Sequence, residues 1–120
     1  LAPADIGHIN AHGLGAPVTD LEEARAIHDV FGPRGAEVPV TALKGAVGNS
    51  AAACGTIELA GSLLALQQGV IPPTLHCENP DPECNLNIVR GEPRSTNTRS
   101  VLNVNFTRFG QASVVIVQDA

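Results

Sequence analysis

Two stretches of helical periodicity, each closed by a glycine, alternate with short apolar runs along this chain, and that alternation leaves few architectures open. The first stretch carries Leu21, Ala24, Ile27 and Phe31 on one face and stops at Gly32-Pro33. Thr19 with Glu22, or Asp20 with Glu23, supplies a capping-box pattern at its start. The second carries Ala53, Ile57, Ala60 and Leu64, follows Asn49 and Ser50 as cap candidates, and stops at Gly69. Its small residues (51–55, Ala60 and Gly61) permit close neighbours, so this helix is expected to be buried. Strand candidates fall at residues 6–11, 38–43, 86–89, 101–106 and 113–117. Residues 71–84 are too rich in Pro and acidic side chains for regular structure. The order β-α-β-α-β-β-β predicts an α/β fold in which helices cover a mixed sheet of about five strands.

A chain of 120 residues has room for one domain and one modest core, so residues 1–120 are read as a single unit. With no Trp, Tyr or Met and three Phe, that core must be built from Ala, Val, Leu and Ile. The net charge is −5 and the seven Lys and Arg are scattered, which argues against a nucleic-acid or anionic-membrane surface. No apolar run approaches the roughly 18 residues of a membrane span, and no signal-peptide pattern opens the chain. Three cysteines at irregular spacing do not form a disulfide framework and favour a cytoplasmic setting. The chain lacks an initiator Met and reaches a strand within a few residues, which reads as a segment of a longer protein.

Five segments then point to one family. They are Asn10-Ala11-His12-Gly13 running to Gly32, the stretch 38–49 with Lys44, the stretch 51–66 with Gly55 and Glu58, the Pro-Pro-Thr at 72–74 followed by Asn79-Pro80-Asp81, and a closing segment at 106–112. In this order and spacing they resemble the β-ketoacyl-[acyl-carrier-protein] synthases, type II in particular, and the resemblance runs over nearly the whole chain. It implies the C-terminal half of a thiolase-like fold. The implied activity is decarboxylative condensation of a malonyl-carrier with an acyl thioester, in fatty-acid or polyketide synthesis. It also implies an acyl carrier protein as partner, a homodimer or heterodimer of the full-length protein, no cofactor, and a nucleophilic cysteine lying outside these residues.

The resemblance places His12 and Asn49 as hydrogen-bond donors to an enolate oxygen, with Asn49 standing where the family has a second histidine. It makes Lys44, the only lysine, the family's buried cation, and Glu23 matches its carboxylate partner by spacing from His12. Phe106 falls at the family's gating phenylalanine beside the acyl pocket. The family's threonines after His-Gly are replaced by Leu14 and Ala16. Its glycine-rich closing loop has become Thr107, Arg108 and Phe109 before Gly110, residues that fit glycine conformations only at a cost. Without the family context, Glu23 and Asn49 read as helix caps, and Phe106 as plain core. His76, Cys77 and Cys84 fit no standard zinc spacing, and Cys54 reads as a core residue. A non-catalytic partner, like the chain-length factors that pair with a true synthase, is the alternative function. A self-contained binding module has no ligand site to support it.

Overall fold

The computed structural model describes residues 1–119. Its main sheet has five strands in the order β4-β2-β1-β6-β7. These are β1 (His8–Asn10), β2 (Pro39–Thr41), β4 (Asn87–Ile88), β6 (Ser100–Phe106) and β7 (Ala112–Gln118). The first four in that order run parallel, and β7 returns antiparallel from β6, so the expected mixed α/β sheet is present. A second sheet pairs β3 (Val70–Ile71) with β5 (Arg94–Ser95). Neither of these strands is anticipated from sequence, because two residues carry no periodicity.

Strand alternation sorts the side chains onto two different faces. Ile9 of β1 with Ala11 just past it, Val40 of β2, and Leu102 and Val104 of β6 point to one side. There they pack with Ile27 and Phe31 of helix α1 (Pro17–Phe31). The opposite face carries Asn10, Asn103 and Asn105, whose amides reach helix α3 (Cys54–Gln68). The sheet is therefore covered by α1 on an apolar side and by α3 on a polar one.

Both helix stops are where the glycines place them. α1 ends at Phe31 with Gly32 at φ 57°, and α3 ends at Gln68 with Gly69 at φ 63°, the left-handed conformation glycine adopts without steric penalty. The starts differ from expectation. α1 begins at Pro17, where a proline is tolerated because that N–H has no intrahelical partner, and Ala16 precedes it without a side-chain cap. Thr19 and Asp20 lie inside the first turn, and Glu23 is used elsewhere. Asn49 and Ser50 do not cap α3, since a 3-10 turn over Ala51–Ala53 intervenes.

The orientation of α3 is the larger correction. Its buried residues are Cys54, Glu58, Ser62 and Ala65, while Ile57 and Leu64 of the expected inward stripe are exposed. The apolar periodicity is real but faces outward. The inward face is polar because it meets the asparagines of the sheet.

Candidate active site

β1 runs into a loop that carries His12, and that loop is tied from two sides. The backbone N–H groups of His12 and Gly13 donate to the two oxygens of the buried Glu23 carboxylate, at 2.7 and 2.9 Å. The His12 carbonyl accepts from Lys44 Nζ at 2.7 Å. Lys44 opens the short helix α2 (Lys44–Val47), just past the end of β2. Gly13 makes the turn possible: its φ is +46°, and an added Cβ would lie 2.3 Å from Ala42 Cβ. Glu23 is thus a clamp on the β1 loop rather than a helix cap. Burial raises its pKa, and the Gly13 and His12 N–H groups work against that rise.

The His12 ring lies against Phe106, with centroids 4.3 Å apart and planes inclined by 38°. The Phe106 backbone N–H points at His12 Nδ1 across 3.5 Å. With Nδ1 facing a donor, the proton of the neutral ring resides on Nε2. Burial lowers the His12 pKa, and the Lys44 charge lowers it further, against smaller upward effects from Asn105, Glu58 and Asp20. A neutral imidazole with an Nε2–H is what remains at neutral pH. His12 and Phe106 line one cavity of about 700 Å³, together with Leu14, Glu23, Leu102 and Arg108.

Lys44 does not pair with Glu23. Its partner is Glu58 of α3, with Nζ 2.5 Å from Oε1 and both side chains shielded from solvent. The second Glu58 oxygen accepts from Asn105 Nδ2 at 2.7 Å. Glu23 is turned to the two backbone donors of the β1 loop, whereas Glu58 lies on the sheet-facing side of α3. Asn10 extends the polar layer by donating to the Glu58 carbonyl and to Ser62 Oγ, at 3.0 and 2.8 Å. Glu58, Asn105, Asn10 and Ser62 are absent from the sequence-derived site. Two signals could have found them: asparagines at alternate positions of β6, and a polar stripe Glu58-Ser62 spaced by four on α3.

Asn49 is exposed, and its Oδ1 accepts from the Ala51 N–H at 3.0 Å and the Cys54 thiol at 3.2 Å. Because Ala51 N–H is a donor, the amide orientation is fixed and Nδ2 points away from that turn. Asn49 lines a cavity of about 630 Å³ with Gly13, Lys44, Thr74 and His76. That cavity adjoins the His12 cavity through Leu14 and Glu23 but does not include His12. The loop from β6 to β7 needs no strained residue before its glycine. Thr107 N–H donates to Gln111 O at 2.8 Å and Gly110 N–H to Thr107 O at 3.1 Å. Gly110 alone has positive φ there, at 81°, and Arg108 stacks 4.9 Å over the Phe109 ring. Cys54, Cys77 and Cys84 are all free thiols.

A strand-end histidine whose pKa burial lowers thus stands beside a phenylalanine, with a buried Lys–Glu pair behind it, on an α/β scaffold. Residues 1–78 match the β-ketoacyl synthase C-terminal domain, and the chain belongs to that family. It is 47% identical over 116 residues to 3-oxoacyl-[acyl-carrier-protein] synthase 2 of Mycobacterium tuberculosis, covering 97% of this chain and 27% of that protein. It is 42% identical over 113 residues to the tetracenomycin polyketide synthase ketoacyl synthase alpha subunit of Streptomyces glaucescens, covering 92% of this chain and 26% of that one. The structure of a type II polyketide acyl-carrier protein in complex with its ketosynthase superposes with a TM-score of 0.95 at 27% identity. All of this chain and 29% of that one are covered. The chain thus spans about a quarter of the length of the curated relatives it matches.

Proposed function

We propose that this chain is the C-terminal part of a β-ketoacyl-[acyl-carrier-protein] synthase and supplies the decarboxylating side of its active site. The observation that carries this reading is His12 at the end of β1, with its pKa lowered, its ring against Phe106 and its Nδ1 facing the Phe106 N–H. In the proposed reaction the bond between the malonyl carboxylate and its methylene carbon breaks and carbon dioxide leaves. The electron pair passes to an enolate whose oxygen accepts from His12 Nε2–H and from the Asn49 amide. The enolate carbon then attacks the acyl thioester held on a cysteine outside these residues, and the cysteine thiolate departs. Lys44 and Glu58 hold the His12 loop in place, Glu23 fixes its backbone, and Phe106 borders the acyl chain.

An acyl carrier protein delivers both thioesters, the full-length protein is a homodimer or heterodimer, and the reaction takes place in the cytoplasm without a cofactor. Among the described residues no helix is long and apolar enough to cross a membrane. Further chain beyond these residues is supported by the exposed Ile57, Leu63 and Leu64 on α3 and Val114 to Ile116 on β7.

The test is His12→Ala in the full-length protein. Malonyl-carrier decarboxylation should fall by about 100- to 1000-fold, the usual consequence of losing one oxyanion donor, while acyl loading persists. Undiminished decarboxylation would remove the basis of the proposal. A non-catalytic, chain-length-factor-like partner is the second reading, favoured by one observation: Asn49 and His12 line separate cavities. A residue other than cysteine at the nucleophile position of the full-length chain would decide for it.

A further inference from the structure

We propose that Asn105 is a positioning residue of this site, holding the Glu58 carboxylate so that Lys44 stays on the His12 carbonyl. The inference deepens the functional reading above and rests on it. Glu58 is wholly shielded from solvent, so each of its oxygens needs a protein donor. Lys44 Nζ serves Oε1 at 2.5 Å and Asn105 Nδ2 serves Oε2 at 2.7 Å. These are the hydrogen-bond donors to that carboxylate among the described residues. Remove the second, and the carboxylate is free to rotate and draw the ammonium off the His12 carbonyl.

The place of Asn105 in the strand gives it a second effect. Phe106, the next residue of β6, presents its N–H to His12 Nδ1 and its ring to the imidazole. One strand end therefore grips Glu58 through a side chain and His12 through a backbone group. Slack at Asn105 loosens both contacts together. Asn105 touches no reacting atom in the proposed reaction and acts only through Glu58, Lys44 and His12.

Charged groups reach the His12 surroundings from every element packed there. Lys44 comes from α2, Glu58 from α3, Asp20 and Glu23 from α1, and Arg108 from the loop after β6. Asn105→Ala separates this role from a merely local one. An ammonium drawn off the His12 carbonyl lowers the His12 pKa less, and the Lys44 effect outweighs the lost Asn105 hydrogen bond, so the titration midpoint should rise; with Lys44 still in place it would fall.

The experiment uses the full-length synthase with isotope-labelled histidine, reading the His12 ring titration by NMR alongside malonyl-carrier decarboxylation and acyl loading. An upward midpoint shift is expected in Asn105→Ala, with decarboxylation reduced by about 10- to 100-fold, the usual range for outer-shell partners, and loading retained. An unmoved or lowered midpoint would overturn the proposal. So would parallel losses of loading and decarboxylation that follow the melting temperature. The titration shift depends only on the contacts among Asn105, Glu58, Lys44 and His12. Failure of the functional reading shows up separately, as His12→Ala retaining decarboxylation.

Discussion

Removing either partner of the Lys44–Glu58 pair strands a charge in the polar layer between sheet and α3. Their separation is 2.5 Å, with side-chain exposures of 4% and 0%. Glu58→Gln leaves the ammonium with neutral acceptors alone, the His12 carbonyl and the new amide oxygen. Lys44→Met leaves the carboxylate with one neutral donor, the Asn105 amide. Breaking a buried pair this way costs about 3–5 kcal/mol. A stranded group can escape by neutralising, and that sets a ceiling. For an ordinary lysine at pH 7 the ceiling is about 5 kcal/mol, and for an ordinary glutamate about 4 kcal/mol. The double variant Lys44→Met/Glu58→Gln carries no buried charge, so it should be more stable than the sum of the singles implies by at least 2 kcal/mol, roughly. The assay is urea unfolding of the four full-length proteins at several pH values. The deficit of Glu58→Gln should shrink as pH rises, because the ammonium loses its proton more easily. That of Lys44→Met should shrink as pH falls. Additive losses, or pH slopes of the same sign, would show that Lys44 and Glu58 are not a paired buried charge.

Three further outcomes follow from single side chains. His8 is buried with Nε2 unpartnered among the described residues, and burial lowers its pKa from 6.5 to about 4. The unfolded chain therefore takes up the proton first, so the stability is complete above pH 6.5 and lost as pH falls toward 4, by roughly 3 kcal/mol. His8→Phe should flatten that part of the urea-midpoint profile. Gly13→Ala forces a side chain into a positive-φ position against Ala42, and should lower stability by about 2 kcal/mol and reduce decarboxylation, measured on the same preparation. Asn49→Ala removes the acceptor for the Ala51 N–H and should cost about 1 kcal/mol in unfolding. If the Asn49 amide also serves the enolate, decarboxylation falls by about 100-fold or more, and Asn49→His keeps much of it.

Helix stops were legible in the sequence, and helix starts were not, since the capping-box residues Thr19 and Asp20 lie inside the first turn of α1. Gly32 and Gly69 mark helix ends because a left-handed residue there is nearly free only for glycine. Strands β6 and β7 fall on the strand candidates at 101–106 and 113–117, while their antiparallel pairing appears only in the fold. The facing of α3 was not legible, because periodicity tells which residues share a side but not which side meets the sheet. Ile57 and Leu64 form a valid apolar stripe, yet the helix turns Glu58 and Ser62 inward, where Asn10 and Asn105 supply hydrogen bonds that an apolar stripe could not return. Hydrophobic burial would favour the opposite orientation for a helix considered alone.

The site shows the same division between local and long-range causes. The structure brings His12, Lys44 and Phe106 together, since strand ends β1, β2 and β6 are neighbours in a parallel sheet. The carboxylates were exchanged: spacing from His12 selected Glu23 as the partner of Lys44, although Glu58 sits in one of the segments that carry the family resemblance. Spacing along the chain measures distance from His12 only for residues on the same strand–helix unit. It is silent about α3, which arrives from the other side of the sheet. The two acidic residues then divide the work by what else is near. Glu23 meets only N–H dipoles and holds a backbone turn. Glu58 meets an ammonium and an amide inside a dry layer, where a single carboxylate must neutralise the one cation the site contains below His12. That arrangement leaves Lys44 close enough to disfavour imidazolium, while Glu58 limits how far the lysine's field reaches. The lowered His12 pKa thus arises from burial first and from Lys44 second, contributions that several elements make together and that no single motif encodes.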